Sequence, residues 1–87
     1  MGFEVLRTKK GGYSKAGVIA KLDALNGLLL AVEEGMPREK ALAELERLKQ
    51  IGLRTEKGGF FGTPGFSVED TDTYIADLIK MIEEKIN

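Results

Sequence analysis

The 87-residue sequence contains no cysteine and no histidine. Without cysteine there is no disulfide and no thiolate metal site, and without histidine the commonest metal ligand and general base is missing. No serine or lysine stands in a motif that activates a nucleophile. We therefore expect a non-enzymatic protein with no catalytic residue, no metal and no cofactor.

Long apolar segments are also missing. The longest apolar run, LLLAV at 28–32, is far shorter than the roughly 20 residues that span a bilayer. No signal-peptide pattern opens the sequence. We expect a cytoplasmic protein, with the inner face of the cell membrane as a second site of action.

Charge is balanced over the whole chain but not along it. The formal net charge is −1 and the isoelectric point is near 5.5, so nucleic-acid binding is not expected. Residues 1–22 carry five basic residues against one acid, whereas residues 66–87 carry six acids against two lysines. Opposite ends of the chain are predicted to attract each other, or to attract a neighbouring copy.

Apolar periodicity predicts three helices. The first begins after the N-cap Ser14, the second runs from Pro37 to about Ile51, and the third begins after the N-cap Ser67. A short turn joins the first two, so we expect an αα-hairpin followed by a third helix. The positions at spacings of 3 and 4 that form the predicted self-association seam are Val18, Leu22, Leu25, Leu29, Val32, Ile75, Leu78 and Ile82. The same positions are also consistent with a monomeric bundle.

A repeat organises the chain. LRTKKGGY at 6–13 returns as LRTEKGGF at 53–60, and both copies lead to a Gly-aromatic-Ser helix entry. The four structural entry residues are Tyr13, Ser14, Phe66 and Ser67. We predict one small domain made of two units, about 3–35 and 51–87, joined by a helix at 37–51.

The repeat also predicts how the units meet. The fold class is mainly α, with at most a short two-stranded β element formed by the repeated entry arms at 3–8 and 51–55. Paired arms would bring the two unit starts together in a pseudo-twofold arrangement. The two capped helices would pack through their seams, and the helix at 37–51 would cover them.

Each unit resembles the N-terminal motif of the DivIVA family, in which a Gly-Tyr-Asp turn precedes a Val and a Phe-Leu pair on a helix. The matching residues include Val18 and Leu22 in the first unit, and Thr71 with Tyr74-Ile75 in the second. The resemblance implies a helical, self-associating scaffold of cell division or cell shape that binds other proteins. The seam from Val18 to Val32 is itself coiled-coil-like and favours a homodimer. The family's membrane-inserting aromatic-basic pair is absent from the matching positions, 10–11 and 63–64.

Phe60 and Phe61 supply the alternative functional interpretation. With the nearby Arg54 and Lys57 they would form an apolar tip that contacts lipid headgroups or a partner groove. Packing of both rings over the small core is the competing interpretation, because aromatic side chains contribute strongly to cores.

Overall fold

The computed structural model describes residues 6–56 and 64–87. Along the chain the elements are β1 (Thr8–Lys10), α1 (Lys15–Glu33), α2 (Arg38–Lys49), β2 (Pro64–Phe66) and α3 (Val68–Ile86). The two strands form one antiparallel sheet. The predicted fold class, mainly helical with a short two-stranded element, is confirmed.

The two long helices begin at the predicted serines. Ser14 Oγ accepts a hydrogen bond from the Gly17 N–H at 3.4 Å, and Ser67 Oγ accepts one from the Asp70 N–H at 3.3 Å. Each bond satisfies a backbone donor that has no partner inside the helix. The turn after α1 ends at Gly35, whose φ of +105° is a left-handed conformation that favours glycine.

The strands lie elsewhere than predicted. Antiparallel pairing joins Thr8 to Phe66 and Lys10 to Pro64, whereas the sequence indicated strands at 3–8 and 51–55. The second arm makes only an isolated bridge, at Thr55. The reason is the six-residue insertion of the second unit, which leaves 64–66, and not 51–55, directly before the helix entry that faces β1.

The two helix entries are paired with each other through reciprocal backbone hydrogen bonds. Tyr13 N–H donates to Phe66 O at 2.8 Å, and Phe66 N–H donates to Tyr13 O at 2.9 Å. A Cβ atom on Gly12 would overlap the Phe66 carbonyl, and one on Gly65 would overlap the Tyr13 carbonyl. We call this contact of residues 12–14 with residues 65–67 the crossing; its backbones approach so closely that only glycine fits beside each aromatic residue.

In each unit, a backbone carbonyl before the helix accepts a hydrogen bond from the N-cap serine of the other unit. Ser14 N–H donates to Arg54 O at 2.7 Å, and Ser67 N–H donates to Arg7 O at 2.6 Å. Arg7 and Arg54 are equivalent residues of the repeated octapeptide. The two units are therefore interlocked at the backbone level and form one body.

Helices α1 and α3 run parallel from the crossing, and α2 returns antiparallel to them. Glu33 and Lys85 pair at 3.6 Å near the far ends of α1 and α3. Lys21 in the first half of α1 donates to Ile51 O, just beyond the end of α2, at 2.7 Å. The core that the elements enclose consists of Leu6, Val18, Leu22, Leu25, Leu28, Ala41, Leu45, Leu48, Phe66, Ile75, Leu78, Ile82 and Ile86.

Candidate interaction groove

The pair of α1 and α3 has two flanks, and α2 packs on one of them. On the other flank lies a cavity of about 810 Å³ with an apolar floor. We call it the α1–α3 groove. Its floor is formed by Asn26 and Leu29 of α1 and by Tyr74, Leu78 and Met81 of α3.

The repeat relates the two flanks residue by residue. The entries Gly12 and Gly65 are 65 − 12 = 53 positions apart, and α1 and α3 begin and end with the same offset. We call residues related by this offset counterparts. The groove residues Tyr74, Leu78 and Met81 are thus the counterparts of Lys21, Leu25 and Leu28.

Counterparts differ sharply in exposure. Leu28 is 4% exposed, whereas Met81 is 44% exposed. Leu30 is 57% exposed, whereas its counterpart Glu83 faces α2 and pairs with Lys49 at 3.2 Å. Among the described residues, Leu30 and Met81 are the two most exposed large apolar side chains.

Helical geometry places these exposed side chains on the groove flank. Leu30 follows Asn26 by four positions, so it lies on the same stripe of α1 one turn further along. Met81 follows Tyr74 by seven positions, so both lie on one stripe of α3. This flank therefore carries exposed apolar side chains from both helices, and nothing from the described part of the chain packs over them.

Acidic side chains form the rim of the groove along the first half of α3. Glu69, Asp70 and Asp77 line this edge. Arg7 reaches Asp70 from the first arm, with Nε–Oδ2 at 2.8 Å, Nη2–Oδ1 at 3.0 Å and its backbone N–H donating to Oδ2 at 3.1 Å. The side-chain hydrogen bonds from Arg7, followed by its backbone N–H, lower the pKa of Asp70 to about 2. The negative charge of Asp70 is thus compensated by Arg7, whereas Glu69 and Asp77 keep the rim acidic.

The predicted entry residues hold the crossing in place. The Tyr13 hydroxyl donates to Asp72 Oδ1 at 2.8 Å, and this hydrogen bond raises the pKa of Tyr13. Phe66, which has no hydroxyl, lies under Lys15 Nζ at 5.5 Å from the ring centre. Ser67 is buried and Ser14 is partly buried, so these residues serve as structural helix entries.

The predicted self-association seam is closed within the chain. Its six buried members are Val18, Leu22, Leu25, Ile75, Leu78 and Ile82. Leu29 and Val32 are partly buried against the same core, and both Leu29 and Leu78 also line the groove. The other buried members are not accessible to a second copy, because the two seams pack against each other.

The structure describes only one of the four residues of the predicted aromatic tip. Phe60, Phe61 and Lys57 lie outside the described residues. Arg54 is exposed, and its backbone carbonyl accepts the hydrogen bond from Ser14. Contact of these residues with a membrane or a partner stays a prediction.

Three features of the structure were not predicted from the sequence. Lys21 is buried with its ammonium on Ile51 O, and its position seven residues before the buried Leu28 was a signal for that flank. The Arg7–Asp70 pair spans 63 positions and has no local signal. The groove has no signal in the sequence, because the 53-residue offset relates the two helices but does not show which flank α2 covers.

No family model, curated protein or solved structure matches this chain. Within residues 6–56 and 64–87, no helix is long and apolar enough to cross a membrane. Over the same residues, no three Asp or Glu side chains are placed together to hold a metal ion.

Proposed function

We propose that this chain is a non-enzymatic adaptor that works through helix-mediated protein contacts, with the α1–α3 groove as its contact surface. The observation that carries the proposal is the exposure of Leu30 and Met81 on the flank opposite α2. Exposed apolar bands of this kind are typical of protein interaction sites. The lack of histidine and cysteine favours an adaptor over an enzyme.

The resemblance to the DivIVA family suggests the biological setting, a scaffold of cell division or cell shape. It is supported by the two Gly-aromatic-Ser entries, which interlock as equivalent parts of a repeated unit. On this proposal the chain acts in the cytoplasm, at the inner face of the membrane where such scaffolds assemble. A homodimer would have to use the groove, because the seam residues are buried.

Photocrosslinking tests whether the groove makes contacts. We would replace Met81 with the photo-reactive residue benzoylphenylalanine in the cells that produce this chain naturally. A matched variant carries the same residue at Glu39, which is exposed on α2. We expect a discrete crosslinked species from position 81 only, and its loss when Leu30→Glu is added.

Two results decide the proposal. Crosslinks that depend on Leu30 support a contact surface at the groove. Equal or absent crosslinking at the two positions would contradict it, provided that circular dichroism shows both variants folded.

A further inference from the structure

We infer that the α1–α3 groove receives one amphipathic helix of a partner protein, similar in its apolar spacing and basic last turn to α2. This inference rests on the proposed function and names the partner of the same site. It follows from the pseudo-twofold relation between the two flanks together with the charge of the groove rim.

The groove corresponds to the surface of α1 and α3 on which α2 packs. Its floor residues Tyr74, Leu78 and Met81 are the counterparts of Lys21, Leu25 and Leu28 on the flank where α2 packs. A single 12-residue helix covers that flank, so one helix is also the occupant that fits the other. By the same relation the occupant runs antiparallel to α1 and α3.

The apolar face of the occupant follows from that of α2. The buried residues of α2 are Ala41, Leu45 and Leu48, at spacings of 4 and 3. A parallel helix pair presents the same ridge pattern on both flanks, so the occupant needs apolar residues at similar spacing.

The charge of the occupant follows from the rim. The end of α2 lies level with Lys21 in α1, so by the same relation the last turn of the occupant lies beside the first half of α3, where Glu69 and Asp77 line the groove. Basic residues in a last turn are favoured both by these carboxylates and by the dipole of the occupying helix. In α2 the last turn carries Arg47 and Lys49, so α2 is a suitable probe for this chemistry.

A peptide of residues 36–51, MPREKALAELERLKQI, tests the inference as a labelled ligand of the full chain. Fluorescence anisotropy should show saturable binding. Met81→Glu should weaken binding by at least about tenfold, because a carboxylate would be buried in an apolar contact. Ala76→Glu, which adds the same charge at an exposed site of α3 outside the groove lining, should leave it unchanged.

Two further measurements separate the contribution of the apolar contact to binding from that of the charged residues. A peptide carrying Leu45→Asp should lose binding, because the central apolar contact is gone. Asp77→Asn in the protein should weaken binding by about two- to fivefold and reduce its dependence on salt. No effect of Asp77→Asn would overturn the basic character assigned to the occupant.

Three results would overturn the inference as a whole. One is no saturable binding up to about 1 mM peptide. Another is binding that Met81→Glu leaves unchanged, since the peptide would then be exchanging with the chain's own α2. The third is self-association of the chain that Met81→Glu abolishes in sedimentation; the occupant would then be a second copy, and the proposed contact surface would still stand.

Discussion

Tyr13 and Phe66 occupy equivalent positions and exchange equivalent backbone hydrogen bonds, yet the helices that follow them are covered differently. The flank that includes Lys21 and Leu28 is buried beneath α2, whereas none of residues 6–56 and 64–87 packs over the flank that includes Met81. This difference shows that the two units are equivalent at the backbone of the crossing. Side chains away from the crossing have diverged with the presence or absence of a covering helix.

Substitution at the crossing is the largest perturbation that we predict. Gly12→Ala should lower the free energy of unfolding by more than about 4 kcal/mol, because the new Cβ would overlap the Phe66 carbonyl and force the two units apart. Urea denaturation followed by circular dichroism measures this. Gly27→Ala is the matched control: its Cβ meets nothing within 4 Å, so it should stabilise the helix by about 0.5–1 kcal/mol. Similar effects of the two substitutions would refute a tight crossing.

Truncation of one side chain on each flank tests the comparison directly. Leu45→Ala should cost about 3 kcal/mol, because Leu45 is 2% exposed and its removal leaves a cavity beneath α2. Met81→Ala should cost less than about 1 kcal/mol, since Met81 is 44% exposed and its truncation removes less buried apolar surface. Thermal and urea unfolding of both variants provide the measurement. A large cost at Met81 in the isolated chain would mean that the groove is already filled.

The counterparts Thr71 and Val18 allow a test in which two substitutions have smaller effects on stability, of opposite sign. Both are fully buried, and Thr71 Oγ1 has no hydrogen-bond partner among the described residues. Thr71→Val should raise the free energy of unfolding by about 1 kcal/mol, because an unsatisfied buried hydroxyl is removed without a change of shape. Val18→Thr should lower it by about 1–3 kcal/mol for the converse reason. If both substitutions destabilised the chain equally, the buried hydroxyl of Thr71 would have a partner after all.

The weakest predicted effect concerns the ion pair that only one unit has. Asp70 pairs with Arg7, but the counterpart of Asp70 is Gly17, so Arg54 has no equivalent carboxylate at this position. The pKa of Asp70 falls from its ordinary 3.8 to about 2 on folding. Its contribution to stability is therefore present above about pH 4 and is lost as the pH falls through about 2.

Melting temperatures across this pH range test that prediction. The drop in melting temperature between pH 4 and 2 should be smaller in Asp70→Asn than in the natural chain. Asp77→Asn serves as the control because Asp77 lies on the same helix without an ion pair to Arg7. An identical acid profile for the Asp70 variant and the natural chain would rule out a stabilising pair.

Local signals predicted the helices well and the strands poorly. Ser14 and Ser67 were identified from residue type and the periodicity that follows them, because a cap and a seam depend on neighbours in sequence. The strand at Pro64–Phe66 was missed because its pairing with Thr8–Lys10 depends on residues more than 50 positions away. Proline and glycine also argue against a strand when they are read locally.

The candidate site was only partly predictable. Leu78 was placed correctly on an apolar stripe, but as part of an intermolecular seam and not beside a groove. The exposure of Leu30 and Met81 could not be read from periodicity, because an apolar stripe looks the same whether or not a helix covers it. Only the position of α2 distinguishes the two cases.

The sequence alone determined where α1 and α3 begin, which face of each is apolar, and that the two units are equivalent. Helix caps and helical spacing depend on residues that are close in sequence, and the repeat can be recognised directly in the sequence. The tertiary structure decided which flank of the α1 and α3 pair is covered. That choice depends on contacts between distant residues: Ala41, Leu45 and Leu48 of α2 are buried against α1 and α3, so α2 lies on one side while no described residue packs over the other.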